Sequence, residues 1–230
     1  MIGVYDYTVI LTYLSLLSAG SGIILSLSGG GHPYIGVFCL LLCGFLDAFD
    51  GRVARRKKDR TELEKNFGIQ IDSLSDLVAF GVLPACIGAA FLRNSRLLNE
   101  IGFFETLFPK VLCYAILVLY VLAAMIRLAY YNVTEEERQK TEGGVRKYFT
   151  GVPVTSAALT FPTVLLVDYV LPTDISLVYV ALALVSTFAF VSKIQIPKPG
   201  SRGVLIMVGI GLAEGILLIL ALAMKFGWFK

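Results

Sequence analysis

Charge is scarce in this 230-residue chain: Asp, Glu, Lys and Arg together make up 16%, hydrophobic residues 57%, and the mean hydropathy is +0.77. A soluble domain usually carries about 25% charged and roughly 45–50% apolar residues, so a soluble globule is a poor fit. The 20 basic and 17 acidic residues leave a net charge of +3, too small and too dispersed to indicate nucleic-acid binding. Histidine is nearly missing. The single one, His32, follows a glycine run, so a Ser-His-Asp triad would have to use it, and a histidine-rich zinc site cannot be built. Cysteine is sparse as well: Cys39, Cys43, Cys86 and Cys113 lie inside apolar stretches with no CxxC pair. They read as buried small hydrophobes, not as a disulfide framework or a zinc site. Internal repeats and low-complexity segments are absent.

What the chain does have is long apolar runs, best counted as spans of about 20 residues each. Seven are expected, at residues 8–27, 34–55, 67–92, 109–132, 152–171, 175–191 and 204–224, within one integral membrane domain covering 1–230. The first run is too long for a secretory signal and has neither a basic segment before it nor a small-residue cleavage site after it. Tyr5, Tyr7 and Trp228 near the ends read as interfacial anchors. Orientation follows from lysine and arginine, which are enriched in cytoplasmic loops. If the connections after spans 2, 4 and 6 share a side, that side holds 15 of the 20 basic residues. The N terminus is therefore expected in the cytoplasm and, with seven spans, the C terminus outside.

The informative residues are carboxylates where the membrane should exclude them. Asp47 and Asp50 close the second span, with Gly51 and Ala54 four and seven residues beyond Asp47, so all four share one helical face. Asp72 and Asp76 open the third span at a spacing of four, preceded at the same interval by Gly68. Two helices joined by a short loop run antiparallel, which lets the two acidic stripes converge near the inner membrane boundary. An aspartate at the centre of a spanning helix costs about 2.5–3.5 kcal/mol, and neighbouring like charges add to that. Something positive belongs between them. Arg52, Arg55 and Arg56 can supply part of the charge, and an oxygen-rich cluster is also what Mg²⁺ or Mn²⁺ requires. Such ions polarise phosphoryl groups. Small residues at Gly51, Ala54 and Gly68 leave room for a nucleotide or a close backbone. The plainer alternative is that the carboxylates pair with the arginines or reach water.

The pattern Asp47-x2-Asp50-Gly51-x2-Ala54-Arg55, followed by Gly68-x3-Asp72-x3-Asp76, resembles the signature of the CDP-alcohol phosphotransferases, membrane enzymes of phospholipid synthesis. The chain departs from it in one respect. Twelve residues separate Arg55 from Gly68, four more than the family commonly places there, and the extra length is expected in a longer helix end or loop. The resemblance implies an all-α polytopic membrane protein with a six-helix core, here with one extra C-terminal transmembrane helix, acting as a homodimer. It implies that Asp47, Asp50, Asp72 and Asp76 hold the divalent cation, Mn²⁺ or Mg²⁺. It also implies that Asp76 is the catalytic base on the acceptor hydroxyl, that Gly51, Ala54 and Gly68 border the nucleotide, and that Arg55 holds the site by charge.

Three further patches resemble the phosphatidylserine synthase branch: Phe67–Ala85, Arg127–Val133 and Tyr148–Pro153. That likeness implies CDP-diacylglycerol, or an ether-lipid equivalent, as donor and L-serine as acceptor, with phosphatidylserine and CMP as products. Arg127 is the candidate for the serine carboxylate or a phosphate, because a guanidinium can engage either with two hydrogen bonds. An ordinary positive-inside arginine is the equal alternative. Thr12 or Ser15 is placed near the nucleotide by family analogy, and Lys147, Lys193 and Arg202 read as solvated loop residues. Glu214, midway along the last span, fits none of these roles. Two rivals are open: the same chemistry on glycerol phosphate or inositol phosphate, and a cation transporter whose path the carboxylates line.

Overall fold

A computed structural model describes residues 3–28, 33–54, 56–57, 59–103, 105–141, 148–171 and 174–225. Among the residues singled out by sequence, His32, Arg55, Lys147 and Trp228 fall outside this set. Helix occupies each of the seven apolar stretches: α1 (Ile10–Leu27), α2 (Pro33–Ala54), a continuous third helix, α6 (Leu107–Thr141), α7 (Ala157–Val170), α8 (Ser176–Val191) and α9 (Ser201–Lys225). The third consists of α3 (Glu62–Asp76), a π-helical turn (Leu77–Val82) and α4 (Leu83–Asn94); the short α5 (Arg96–Glu100) follows it. Ile10–Leu27, Pro33–Ala54, Glu62–Asn94, Leu107–Thr141 and Ser201–Met224 are long and apolar enough to cross a membrane, while Val154–Val170 and Ser176–Val191 are shorter. The outward faces agree with that reading. Along α9, Leu205, Ile206, Ile210, Leu212, Ile216 and Ile219 are exposed, a stripe that water would penalise and lipid would not. The chain is an all-α polytopic membrane protein.

Two of the helix boundaries that differ from the sequence expectation have a local reason in side-chain pairing. The third helix starts at Glu62 rather than near 67 because Thr61 and Glu64 form a capping box, each side chain accepting from the other's backbone N–H. The fourth runs to Thr141 rather than 132, since Glu135–Arg138 (2.7 Å) and Glu136–Lys140 (2.6 Å) pair one turn apart and carry the helix beyond its apolar run.

The π turn has a cause in Pro84. Proline lacks the N–H that would bond the carbonyl four residues back, which frees the Phe80 oxygen. The buried Tyr120 hydroxyl on α6 donates to that oxygen, and the Leu83 N–H reaches past it to Val78. Tyr179 on α8 likewise donates to the Pro84 carbonyl at 2.7 Å. Around these two tyrosines the core closes by edge and tilted ring contacts: Tyr120 meets Phe161 and Phe190, each at 5.4 Å between centroids, and Phe161 meets Tyr179 at 4.7 Å. The widened turn begins immediately after Asp76, so the packing of the core sets where the acidic end of α3 points.

Elsewhere small residues bring helices together, as is usual in membranes. A Cβ on Gly22 of α1 would stand 2.7 Å from the Cys39 Cβ of α2. At one end, β1 (Tyr148–Thr150) pairs antiparallel with β2 (Gln195–Pro197), Phe149 opposite Ile196. Gly151 follows at φ +75°, where a Cβ would lie 2.5 Å from the Phe190 carbonyl oxygen, so only glycine makes this turn. The ribbon ties the α6–α7 connection to the α8–α9 connection.

Candidate functional site

α2 descends to Asp47 and Asp50 in its last turns, and α3 rises from the same end with Gly68, Asp72 and Asp76 on one face. α1 holds the two helices in register. The Cys43 thiol, one turn before Asp47, donates to the Ser15 carbonyl at 3.3 Å, and the Ser75 hydroxyl, between Asp72 and Asp76, donates to the Thr12 carbonyl at 3.2 Å. Thr12 and Ser15 are thus buried against the acidic helices. On the other flank, the Asn132 amide of α6 donates to the Ser73 hydroxyl at 2.7 Å. Each side of the acidic turn of α3 is therefore bonded to a neighbouring helix.

The result is convergence. Carboxylate oxygens of Asp47, Asp50 and Asp72 lie within 4.8 Å of one another. Asp50 also accepts from the Gly51 N–H. Asp76 lies outside that tight trio but within electrostatic reach of all three. All four residues are half-buried. Like charges this close repel strongly, and among the described residues neither Arg52 nor Arg56 forms an ion pair with them: Arg52 lies over the Phe49 ring, 5.6 Å from its centroid, and Arg56 is exposed. An all-oxygen set of carboxylates at this separation fits a hard divalent cation. The alternative in which the aspartates pair with Arg52 or Arg56 does not describe this arrangement.

The remaining expected residues fall as follows. Gly51 and Ala54 are half-buried in the last turn of α2, next to the cluster. Gly68 is covered by the Arg60 guanidinium, whose Nη2 would stand 2.6 Å from a Cβ there. Arg60 lies within the extra length between Arg55 and Gly68. Arg127 is buried on α6, 6% exposed, with its guanidinium 5.2 Å from the Tyr131 ring centroid. Lys193 and Arg202 are both exposed, in and beside the α8–α9 connection. Glu214 belongs to a different contact: it accepts from the Thr163 hydroxyl and joins α9 to α7.

Comparisons with known proteins agree with the geometry. The family model for CDP-alcohol phosphatidyltransferase matches residues 8–225. An archaetidylserine synthase of Methanothermobacter thermautotrophicus is 32% identical over 195 residues, 83% of this chain and 70% of that protein. A CDP-diacylglycerol–serine O-phosphatidyltransferase of Saccharomyces cerevisiae is 40% identical over 124 residues, 53% of this chain and 38% of that protein. One of the same name from Helicobacter pylori is 32% identical over 123 residues, 54% and 42% respectively. The aligned segments span less than half the length of the latter two relatives. No solved structure matches the chain significantly. With a family model covering nearly all of its residues and the acidic signature gathered at one helix pair, the chain belongs to the CDP-alcohol phosphatidyltransferase family.

Proposed function

We propose that the protein transfers the lipid phosphoryl group of CDP-diacylglycerol, or of an ether-lipid equivalent, to the hydroxyl of L-serine, releasing CMP. The observation that carries this reading is the meeting of Asp47, Asp50 and Asp72 oxygens within 4.8 Å, in a chain aligned over 83% of its length with an archaetidylserine synthase. The names of the yeast and Helicobacter relatives point to the same acceptor.

Asp47, Asp50 and Asp72, with Asp76 beside them, would hold a divalent cation, Mn²⁺ or Mg²⁺. Bound there, the cation supplies positive charge to the diphosphate oxygens. The protein's own work is positioning and proton transfer, which dominate phosphoryl-transfer catalysis. Asp76 takes the proton of the serine hydroxyl. The freed oxygen attacks the lipid-bearing phosphorus, a new P–O bond forms, and the bond from that phosphorus to the bridging oxygen breaks, so CMP leaves with the electron pair. Asp76 suits the role because it stands apart from the tight trio, leaving an oxygen to face an acceptor. Gly51, Ala54 and Gly68 border the nucleotide beside the cluster, and Arg55 adds positive charge. Arg127, buried on the helix that α3 leans against through Asn132 and Ser73, receives the serine carboxylate. The excess of lysine and arginine in the connections supports a cytoplasmic side for this end, and the homodimer belongs to the same reading.

An acceptor screen tests it. Purified protein is incubated with the CDP-linked lipid and Mn²⁺ plus serine, glycerol phosphate or inositol phosphate, and CMP release is followed. Release is expected with serine and is expected to stop when the ion is chelated. Release with inositol phosphate but not with serine overturns the acceptor assignment.

A further inference from the structure

The stretch between α2 and α3 carries a cation that the site described so far does not use. Lys57 spends its ammonium on Asp6 at 2.6 Å and Glu64 at 2.8 Å, Lys65 reaches Glu62 at 2.8 Å, and Arg56 is exposed to solvent. Arg60 does something else. Its guanidinium turns back onto α3 and lies against Gly68, close enough that a Cβ there would meet Nη2 at 2.6 Å. Nη2 donates to the Glu64 carbonyl at 3.0 Å. Nε is buried and has no hydrogen-bond partner among the described residues.

That combination is unusual for an arginine with only a structural task. Five donors in a planar fork normally meet a carboxylate or water, and a buried donor left unmade costs free energy. The location is also specific. Gly68, Asp72 and Asp76 repeat every four residues on one face of α3, and a Cβ at Gly68 would point to that face. The guanidinium therefore sits about one helical turn, roughly 6 Å along the axis, from the position of Asp72. It is near the acidic cluster without being spent on Glu or Asp in an ion pair among the described residues. Its carrier is held in place on both sides, by the Lys57 contacts to Asp6 and Glu64 and by the Thr61–Glu64 capping box. Holding a charged fork in position before the ligand arrives lowers the ordering cost of binding.

We propose that Arg60 is a donor-binding residue whose guanidinium engages the diphosphate of the CDP-linked lipid beside the aspartate cluster. The proposal rests on the functional reading above for the identity of that anion. It also assigns a role to the extra length between Arg55 and Gly68, which delivers the arginine, and to the absence of a side chain at Gly68, which seats it.

The test is equilibrium binding of the CDP-linked lipid to the purified full chain in detergent with Mn²⁺ and no acceptor, for wild type, Arg60→Ala and Arg60→Lys. Arg60→Ala is expected to weaken binding by about 10- to 100-fold, the scale of one charge-assisted hydrogen-bonded contact. Arg60→Lys is expected to recover only part of this, since an ammonium supplies a point charge without the fork. Mn²⁺ binding measured alone and the unfolding temperature should match wild type. Unchanged or tighter lipid binding in Arg60→Ala overturns the proposal, as does a loss that brings an equal fall in Mn²⁺ binding or thermal stability, which would make Arg60 a brace. A wild-type protein that binds no CDP-linked lipid overturns the functional reading and this proposal together, whereas wild-type binding indifferent to Arg60→Ala overturns this proposal alone.

Discussion

The two ends of the helix bundle both carry half-buried or buried aspartates, and they treat them in opposite ways. At the end where α2 begins and α7 finishes, each carboxylate is supplied with donors. Asp174 accepts from the Ser176 N–H at 2.9 Å and from the Ser95 hydroxyl. Asp168 accepts from the Ile175 N–H at 3.2 Å and from the Tyr34 hydroxyl at 3.5 Å. These groups tie loops to helix ends, and each accepts from at least two donors. At the other end, Asp47, Asp50 and Asp72 face one another. One set of carboxylates is tied down by donors while the other is crowded together with one backbone donor, from Gly51 to Asp50, and that contrast is what the proposed cation and substrate site rests on.

The largest effect expected from this contrast is at Asp76. Replacing it with Asn keeps the shape and removes the base, so turnover should fall by about 10²–10⁴-fold while the CDP-linked lipid still binds. Turnover near wild type in Asp76→Asn would refute the assignment of the proton to this residue. At the opposite end the response should be one of stability. Asp174→Ala removes acceptors from the Ser176 N–H and the Ser95 hydroxyl, a loss of about 1–2 kcal/mol. It should show as a lower unfolding temperature in detergent with CMP release per folded molecule preserved. If Asp174→Ala instead loses activity at an unchanged unfolding temperature, the division between structural and reactive carboxylates fails.

How much of this could be read from the chain depended on the range of the interaction. Seven apolar stretches and four misplaced aspartates are statements about composition and i, i+4 spacing, so the helices and the acidic stripes were legible. The boundaries at Glu62 and Thr141 were less so, because a capping box and charged pairs extend helices past the point where hydropathy stops. The β1–β2 pair was not legible at all: its strands are three residues each and lie far apart in sequence, so no periodicity announces them. It nevertheless joins two of the three connections that the basic-residue bias assigns to one side. The π turn was hidden for a similar reason. Pro84 was visible, but the tyrosine hydroxyl that takes up the freed Phe80 carbonyl comes from another helix. At the site, Asp47, Asp50 and Asp72 came together as their spacing suggested, whereas the seating of Arg60 on Gly68 depends on the path of a loop that spacing does not determine.

The smallest expected effect concerns what holds that loop. Asp6 donates no proton to its neighbours and accepts from Lys57, Thr8 and the Thr8 N–H. The hydrogen bond from Lys57, followed by that from Thr8, holds the Asp6 carboxyl at about 2, below its ordinary 3.8. A carboxyl whose pKa is depressed by folding adds stability above its unfolded value and loses it as the pH drops through the folded one. The unfolding temperature of Asp6→Asn should therefore sit slightly below wild type from neutral pH down to about 4, and the gap should close as the pH falls toward about 2. The difference will be small, because the Asp6 and Lys57 side chains keep 23% and 24% of their exposure and water screens the pair. Lys57 also keeps its bond to Glu64, so the α2–α3 connection stays anchored at one of its two points, and lipid binding by Asp6→Asn should lie between that of wild type and Arg60→Ala. A gap in unfolding temperature that widens with acid would mean that Asp6 is held by something other than its charge.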